Sequence, residues 1–345
     1  MTTTARMFIK GAFLGGLCVV GARRYRDKRM ARNSFHGKVV FITGSSRGLG
    51  LALAEEFLRS GARVAISARD PVELAKAYAQ LQRLTTLPEG EAVVQVVCDV
   101  AEPASIRRGL ELIHSTLGAI DVLVNNAGIM TVAPLLNQSP KRFHEAMDTN
   151  FFGALNASLA VLPAMLERGQ GAIVNIASIG GLIAVPHMLP YTASKFALVG
   201  FSRGLHTELK SKGVNVLTVC PWLMRTGSHL HAKVGGRRNL EYGWFGTSAT
   251  LPLLSVPARV AARQIVQAAA KGKSELLISR WAVIAAKVAA TAPVLTGAVL
   301  SAVNRVLPAE RIAAGDSQIE GGDVQAPAGV LPHILGRSAE LRWNQ

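Results

Sequence analysis

A glycine-rich turn lies between a short apolar run and a helical pattern, and this arrangement restricts the fold more than any other feature of the sequence. Residues 38–43 (KVVFIT) are mostly apolar and rich in β-branched side chains, which predicts a buried strand. The turn 44–50 (GSSRGLG) follows at once, and residues 51–59 (LALAEEFLR) predict a helix. Backbone N–H groups and a helix N-terminus then face one point, where glycines let a phosphate approach closely. The unit predicts a phosphate-binding site, and a tight turn with a purely structural role is the alternative.

The alternation of strand and helix patterns continues along the chain. Further strand patterns occur at 63–68, 92–98, 120–124, 214–220 and 274–280, and further helical patterns at 72–84, 103–117, 140–168 and 256–271. Parallel strands need crossover connections, which helices supply. The sequence therefore predicts an α/β fold, a doubly wound parallel sheet with helices on both faces in three α/β/α layers.

Three groups able to move a proton beside a carbonyl oxygen occur between residues 178 and 195. Tyr191 and Lys195 are four residues apart, so a helix that starts near Pro190 places them on one face. Because an ammonium close to a phenol favours the phenolate, we expect the pKa of Tyr191 to fall below its usual value of about 10. Ser178 follows an apolar run and can direct its hydroxyl at the same substrate oxygen. Taken alone, the Tyr and Lys are better explained as surface residues of an ordinary helix, and the rest of the chain must overturn that interpretation.

The end of the second predicted strand bears on the choice of dinucleotide. An acidic residue there binds the ribose 2′-hydroxyl of NAD, whereas an arginine accommodates the 2′-phosphate of NADP. This chain has Ala68 and then Arg69 at that place, and Arg47 is available from the glycine turn. Asp70 is better explained as the N-cap of a helix that starts at Pro71. The sequence thus favours NADP(H) over NAD(H), with two merely solvated arginines as the alternative.

Polar residues after the later strands are further candidates. Asp99 faces the expected ligand crevice, and capping of the next helix is its alternative explanation. Asn125 and Asn126 are compatible with ordinary turn residues. Asn150 lies within a long helical pattern, where a buried amide needs partners or a task.

Together and in this order, these features resemble the short-chain dehydrogenase/reductase family over about residues 37–280. The resemblance rests on 43–50 (TGSSRGLG), Asp99, 125–128 (NNAG), Asn150, Ser178 and 191–195 (YTASK). It implies a Rossmann fold and an enzyme that interconverts a carbonyl and an alcohol with a nicotinamide cofactor.

The resemblance also implies residue roles. Tyr191 is expected to exchange the proton, Ser178 to orient the substrate oxygen, Lys195 to bind the nicotinamide ribose and lower the Tyr191 pKa, and Asn150 to hold a water of the proton relay. The pyrophosphate is expected at Gly44, Gly48 and Gly50, adenine at Asp99, and the ribose region at 126–128. The implied cofactor contacts are Gly44, Ser46, Arg47, Gly48, Leu49, Gly50, Arg69, Asp99, Asn126, Ala127, Gly128, Tyr191, Lys195, Pro221 and Thr226.

The region after residue 220 departs from the family in one place. The family usually has Pro-Gly there, whereas this chain has Pro221 and Trp222, which leaves the shape of the turn and the pocket edge open. In the family, residues such as 223–255 cover the substrate, and an apolar, glycine-containing lid suggests a hydrophobic substrate. His229 and His231 lack an apparent third ligand, so we expect surface histidines and no metal site.

Amino-acid composition restricts the class of protein and the redox state of its compartment. With 49% hydrophobic and 17% charged residues among 345, the chain is globular and large enough for one big domain or two smaller ones. Three widely separated cysteines (Cys18, Cys98 and Cys220) predict a reducing compartment. The net charge is +16, but residues 1–38 hold nine Lys/Arg against one Asp, a net +8. The excess therefore does not indicate a nucleic-acid protein.

Residues 1–36 form an apolar and basic segment. Residues 7–22 are sixteen largely apolar positions, short of the roughly 20 that cross a bilayer, and a basic cluster at 23–29 follows. A cleaved signal peptide, an uncleaved anchor and a hydrophobic arm packed on the protein are the alternatives. The basic flank resists translocation and attracts anionic lipid, which favours an anchor or membrane-surface segment. We therefore expect the cytoplasmic face of a membrane, or else simply the cytoplasm.

The chain continues after residue 280, where the predicted parallel sheet is complete. Residues 281–307 are apolar and predict a helical extension, as a packed pair, a dimer surface or an interfacial segment. Residues 308–345 are rich in Gly, Ala and Pro and predict a poorly ordered tail. A homo-oligomer stays open.

The favoured function is an NADP(H)-dependent oxidoreductase acting on a hydrophobic lipid-, steroid- or retinoid-like substrate. The alternative is a non-catalytic NADP(H)-binding sensor or interaction protein that keeps the fold. A serine hydrolase built on Ser178 is disfavoured, because the Gly-x-Ser-x-Gly pattern is absent around it.

Overall fold

A computed structural model of the chain describes residues 34–252, 254–310, 315–324 and 341–344. The predictions for residues 1–33, the anchor among them, lie outside the described residues.

Seven parallel strands form the central sheet, in the order β7-β6-β5-β4-β1-β2-β3. They are β1 (Val39–Ile42), β2 (Arg63–Ala68), β3 (Val93–Val97), β4 (Val122–Asn125), β5 (Gly171–Ile176), β6 (Val214–Pro221) and β7 (Glu275–Ile278). The chain proceeds outward from β1 in one direction and, after β3, in the other. The carboxyl ends of β1 and β4 therefore flank a crevice of the kind that binds ligands in doubly wound sheets.

Ten α-helices of the described residues cover and extend the sheet. They are α1 (Gly48–Arg59), α2 (Pro71–Gln82), α3 (Pro103–Thr116), α4 (Pro140–Met147), α5 (Gly153–Glu167), α6 (Leu189–Leu209), α7 (Arg238–Thr250), α8 (Ala258–Ala270), α9 (Arg280–Thr291) and α10 (Pro293–Val306). Val40 and Ile42 pack with α1, α2 and α8, whereas Val39 and Phe41 pack with α3, α5 and α6. Successive strand side chains point to opposite faces, so both faces of the sheet are buried. The predicted three-layer doubly wound fold is confirmed.

Local sequence signals explain how individual helices begin. The Asp70 carboxylate accepts the backbone N–H groups of Val72 and Glu73 at 2.8 and 3.3 Å, and Pro71 is the first residue of α2. The predicted N-cap is therefore confirmed, and this carboxylate is occupied by the helix end.

The long helical pattern over 140–168 is not one regular helix. A π-helical turn at Asp148–Phe152 separates α4 from α5, and Asn150 lies within it. By length and composition the stretch Pro140–Glu167 could cross a membrane, but Ala157, Val161 and Met165 of α5 belong to the core against the sheet.

The predicted C-terminal extension is confirmed as a helical pair. The chain changes direction by 118° between α9 and α10. α9 follows β7 after a single residue, Ser279, which also caps the helix by accepting the N–H of Ala282 at 3.1 Å.

Parts of the tail after residue 308 differ from the predicted poor order. Ile319–Glu320 pairs with Lys233–Val234, and Trp343 packs beside α1 and α2 with 3% of its surface exposed. Composition predicted disorder from many small residues, but a few large side chains are enough to fix a segment against a preformed surface.

Candidate active site

Ser178 and Tyr191 meet at the carboxyl end of β5. The Ser178 hydroxyl accepts the N–H of Gly180 at 3.0 Å and lies close enough to the Tyr191 hydroxyl to act on its pKa. The two hydroxyls can therefore contact one substrate oxygen, as the sequence suggested.

Lys195 lies one turn after Tyr191 on α6 and is almost fully buried. Its Nζ donates to the Ile176 carbonyl at 2.8 Å and lies 5.7 Å from the centroid of the Tyr191 ring. The interpretation as a surface side chain is wrong for Lys195, and Tyr191 is half-buried.

Burial controls the proton affinities of this pair. Burial raises the pKa of Tyr191 above its ordinary 10, and the hydrogen bond with Ser178 offsets part of the rise. Burial also lowers the pKa of Lys195 from 10.5 to about 8. The predicted lowering of the Tyr191 pKa is therefore wrong in this structure, because burial disfavours the phenolate.

Asn150 joins the loop after β4 to the helix that carries Tyr191. Its Oδ1 accepts the N–H of Ile129 at 2.8 Å, and its Nδ2 donates to the Ile129 carbonyl at 3.0 Å and to Ser194 Oγ at 2.8 Å. Ser194 Oγ donates in turn to the Tyr191 carbonyl at 2.8 Å. A Cβ atom on Gly128 would lie 3.0 Å from Asn150 Oδ1, so this glycine belongs to the same cluster.

The glycine turn closes tightly around the end of β4. Gly44 has a positive φ of 61°, and a Cβ atom on it would lie 2.7 Å from the Cα of Ala127. A Cβ atom on Gly50 would collide with the Gly44 carbonyl. Asn126 Nδ2 donates to the carbonyls of Thr43 and Gly44 at 3.0 and 2.7 Å. The Asn126 side chain thus stabilises the glycine turn, and the residue is not an ordinary turn residue.

The start of α1 suits an anion. Gly48 begins the helix at the carboxyl edge of the sheet, and its Arg47 N-cap makes no side-chain bond to the helix N–H groups within the described part of the chain. Ser46 and Leu49 are buried beside it. The positive end of the helix and the Cβ-free cradle are features of a pyrophosphate site, but in this structure the Gly48 N–H donates to the Trp343 carbonyl at 2.9 Å.

The two arginines of the cofactor prediction differ in availability. Arg69 follows β2 with a side chain 67% exposed, and its nearest charged partner, Asp99, is 4.0 Å away. Arg47 is bound to Glu73 at 2.8 Å and contacts His231 at 3.1 Å. Arg69 is therefore exposed and only loosely paired, whereas Arg47 is engaged by Glu73 and His231.

Two residues with open alternatives are now placed. Asp99 accepts the N–H of Ala101 at 2.9 Å and makes no cap to α3, so the helix-capping alternative is wrong. Asn125 is buried and donates to Ser158 at 3.0 Å and Asn175 at 2.8 Å, so it is a core hydrogen-bonding residue rather than a turn residue.

A cavity of about 590 Å³ opens beside Ser178 and Tyr191. Its walls come from the loop before α6, the turn after β6, α7 and the two C-terminal helices, and are mostly apolar. The apolar side chains among them include Met130, Val185, Met188, Trp222, Leu223, Met224, Trp244, Phe245, Trp281, Ile284, Val288, Leu295, Val299, Leu300 and Val303.

Trp222, which replaces the family's usual glycine, forms one edge of this cavity. Its backbone N–H donates to the Ile278 carbonyl at 3.2 Å, and its Nε1 has no hydrogen-bond partner within the described residues. The neighbouring Pro221 and Thr226 are buried, and Thr226 Oγ1 accepts the N–H of Ser228 at 3.2 Å. The Trp222 side chain therefore lines the cavity, and β6 continues to Pro221 beside it.

A buried latch that the sequence did not reveal holds the lid helix α7. Glu241, fully buried, accepts from Trp244 Nε1 at 2.8 Å and pairs with His187 Nδ1 at 2.9 Å. His187 lies four residues before Tyr191 and has a positive φ of 61°. No local pattern signals a pair that is 54 residues apart in sequence.

One of the two lid histidines differs from expectation. His229 is only 2% exposed and its ring stacks on Tyr242, so the prediction of a surface residue is wrong for it. His231 contacts Arg47 and Glu320, and burial together with the Arg47 charge lowers its pKa.

Cys220 is a further residue that sequence reasoning left out of the site. It is buried near Tyr191 and Lys195, and burial raises the pKa of its thiol to about 12. The thiol is therefore neutral near pH 7.

Known proteins are similar to this chain over the region that contains the candidate site. A family model described as short chain dehydrogenase matches residues 38–233, which is more than half of the chain and includes the glycine turn, Ser178, Tyr191 and Lys195. The chain belongs to the short-chain dehydrogenase family.

Relatives and solved structures agree with membership in the short-chain dehydrogenase family. A dehydrogenase/reductase SDR family protein 7-like from Drosophila melanogaster is 37% identical over 204 residues, which cover 59% of this chain and 62% of the relative. The chain thus spans less than two thirds of that relative's length. L-sorbose reductase from Gluconobacter frateurii, solved with NADPH and L-sorbose, is 26% identical with a TM-score of 0.62, covering 71% of this chain and 95% of that one. A short-chain dehydrogenase from Streptomyces avermitilis is 27% identical with a TM-score of 0.64, covering 78% and 97%.

Proposed function

We propose that the protein is an NADP(H)-dependent oxidoreductase that interconverts a carbonyl and a secondary alcohol on a hydrophobic, lipid-, steroid- or retinoid-like substrate. The observation that carries this proposal is the apolar cavity of about 590 Å³ beside Ser178 and Tyr191. An apolar pocket with a few convergent polar groups is the usual form of a small-molecule site, and here the polar groups are the hydroxyls suited to a carbonyl oxygen.

Tyr191 moves the proton in this proposal. The bound nicotinamide supplies or accepts the hydride. In the direction of reduction, the Tyr191 hydroxyl donates its proton to the carbonyl oxygen as negative charge develops there. A raised Tyr191 pKa keeps the proton in place until that charge appears. Ser178 donates a second hydrogen bond to the same oxygen, which strengthens as the charge grows.

Lys195 and Asn150 support that proton transfer. With a pKa of about 8, Lys195 is mostly charged at neutral pH and binds the nicotinamide ribose. Asn150 holds the loop after β4 to α6 through Ser194, and we assign it the water of the relay that refills Tyr191.

We assign the parts of the dinucleotide to residues along the crevice at the carboxyl ends of β1 and β4. Gly44, Gly48 and Gly50 receive the pyrophosphate, Asp99 the adenine, and residues 126–128 the ribose region. Ala68 offers no carboxylate for a 2′-hydroxyl, and exposed Arg69 is available for a 2′-phosphate, which supports NADP(H). The NADPH in the related L-sorbose reductase supports the same choice.

We also propose that the protein works at the cytoplasmic face of a membrane, held by the apolar and basic residues 1–36. Membrane fractionation of the full chain against a variant lacking residues 1–32 tests this. The full chain should sediment with membranes, and a full chain that stays wholly soluble would refute the proposal.

The experiment for the activity is NADPH consumption across ketosteroids, retinals, long-chain 3-ketoacyl compounds and quinones, with NADH in parallel. We expect turnover of at least one apolar class with NADPH preferred, and little turnover of L-sorbose. Equal or better use of NADH would overturn the NADP assignment alone. NADPH binding without turnover on any class would instead support the non-catalytic sensor.

A further inference from the structure

The C-terminal helices present an apolar face that the described chain leaves uncovered. Val294 and Val306 of α10 are 85% and 83% exposed, and no residue of that helix is buried against the rest of the described residues. On α9, Trp281 and Ile284 are each 53% exposed. Soluble monomers rarely expose a continuous apolar patch of more than several hundred Å² unless it meets a partner.

The charge of the two helices favours one kind of partner. Residues 280–306 contain no Asp or Glu and carry Arg280, Lys287 and Arg305. An apolar helical pair whose charged residues are all positive matches the surface of a bilayer that contains anionic lipid.

The shape of the pair favours lying at the membrane surface. At 1.5 Å per residue, α9 and α10 are about 18 and 21 Å long, short of the roughly 30 Å hydrocarbon core. The 118° change of direction prevents the two helices from forming one span.

The same helices wall the cavity that reaches the hydroxyls of Ser178 and Tyr191. Leu295, Val299 and Val303 line the cavity and are also 59%, 54% and 42% exposed, so the mouth of the cavity lies on this face. A protein partner seated here would close the mouth, whereas a bilayer would deliver apolar molecules to it.

We propose that α9 and α10 form a membrane-docking face through which an apolar substrate passes from the lipid into the cavity. The substrate route rests on the proposed function, but the contact with lipid does not.

The contact is tested with a probe at Val294 in the full chain. An environment-sensitive fluorophore is attached to Val294→Cys in a Cys18→Ser background, since Cys98 and Cys220 are buried. Leu112→Cys on α3, 42% exposed, is the matched control. Vesicles of phosphatidylcholine and phosphatidylglycerol in equal parts are added without NADPH. We expect a blue shift at position 294 that lipid-borne nitroxide quenches, and no shift at position 112.

Three results would overturn the docking face. The first is water-like emission at position 294 while the protein is bound to vesicles through another segment. The second is a blue shift before vesicles are added that disappears on dilution, which would place a second copy on this face. The third is a blue shift before vesicles are added that survives dilution, which would place another segment of the same chain there.

The route is tested with Val294→Glu/Val306→Glu, two residues outside the cavity wall, against the control Leu112→Glu/Val260→Glu. With a long-chain ketone held in vesicles, kcat/KM should fall at least roughly tenfold relative to the control pair, because two apolar side chains that enter lipid become charged. With a dissolved short ketone, the two pairs should be equal. If kcat/KM of Val294→Glu/Val306→Glu relative to the control pair is the same for the vesicle-held and the dissolved ketone, the route is overturned. Absence of turnover in the unaltered protein would instead sink the proposed function, and the fluorescence result would stand independently.

Discussion

At the residue scale, burial shifts the pKa values of Tyr191, Lys195 and Cys220. The i, i+4 spacing was enough to place Tyr191 and Lys195 together, because helix geometry is local. It did not predict the direction of the Tyr191 pKa, since that depends on how deeply the pair is buried and on where the ammonium is held. The Ile176 carbonyl that holds it lies 19 residues away.

Lys195→Met should stabilise the protein in the absence of cofactor. Below pH 8 the folded and unfolded states both carry the Lys195 proton, and the buried charge lowers stability in full. As the pH rises from about 8 to 10.5, the folded state releases the proton first and the free energy of unfolding increases. The substitution should add about 2 kcal/mol at pH 7, because relief of the burial penalty exceeds the lost hydrogen bond to Ile176.

Urea unfolding at pH 7 and at pH 10 checks this. The gain should shrink at pH 10, and exposed Lys212→Met should change little at either pH. A Lys195→Met protein less stable than the parent at pH 7 would show that the residue is not a buried charge.

At the scale of elements, the sequence was informative wherever the signal was local. The strands, the glycine turn and the helix that begins at Pro71 were predicted within a few residues, because apolar runs, glycines and N-caps act over a few positions. The π turn at Asn150 and the latch between His187 and Glu241 were not predicted. Each depends on contacts between segments that are distant in sequence.

Glu241→Ala should loosen the lid. The substitution leaves His187 and Trp244 without their buried partner, so we expect a loss of about 3 kcal/mol of unfolding free energy. KM for apolar substrates should also rise, because Trp244 lines the cavity.

Glu275→Ala is the matched control for the latch. Glu275 forms an exposed ion pair with Arg203, and such pairs contribute about 0–1 kcal/mol. Thermal and urea unfolding of both variants provide the comparison. Equal, small losses would mean that the latch does not hold α7.

At the scale of the whole molecule, the cavity is a product of assembly. The sheet supplies Ser178 and α6 supplies Tyr191, while α7, α9 and α10 supply apolar walls from the last third of the chain. The sequence indicated an apolar lid but left the extension open among three interpretations. Only the folded chain shows that the extension and the lid enclose one space.

The cavity predicts a dependence on substrate length. Each buried methylene contributes about 0.8 kcal/mol, so kcat/KM for 2-ketones with NADPH should rise roughly fourfold per added carbon until the chain fills the cavity. Initial rates over a series from 2-butanone to 2-dodecanone measure the slope. A flat series would show that the apolar walls do not bind the substrate.

The central claim is that Tyr191 transfers a proton during NADPH-dependent carbonyl reduction. Its most direct test is single-turnover oxidation of NADPH with an apolar ketone by the parent protein and by Tyr191→Phe, alongside NADPH binding measured by fluorescence. We predict that the variant binds NADPH nearly as tightly as the parent and loses at least about 10³-fold in the rate of oxidation, because the ring remains and only the proton donor is removed. An unchanged rate in Tyr191→Phe would contradict the account.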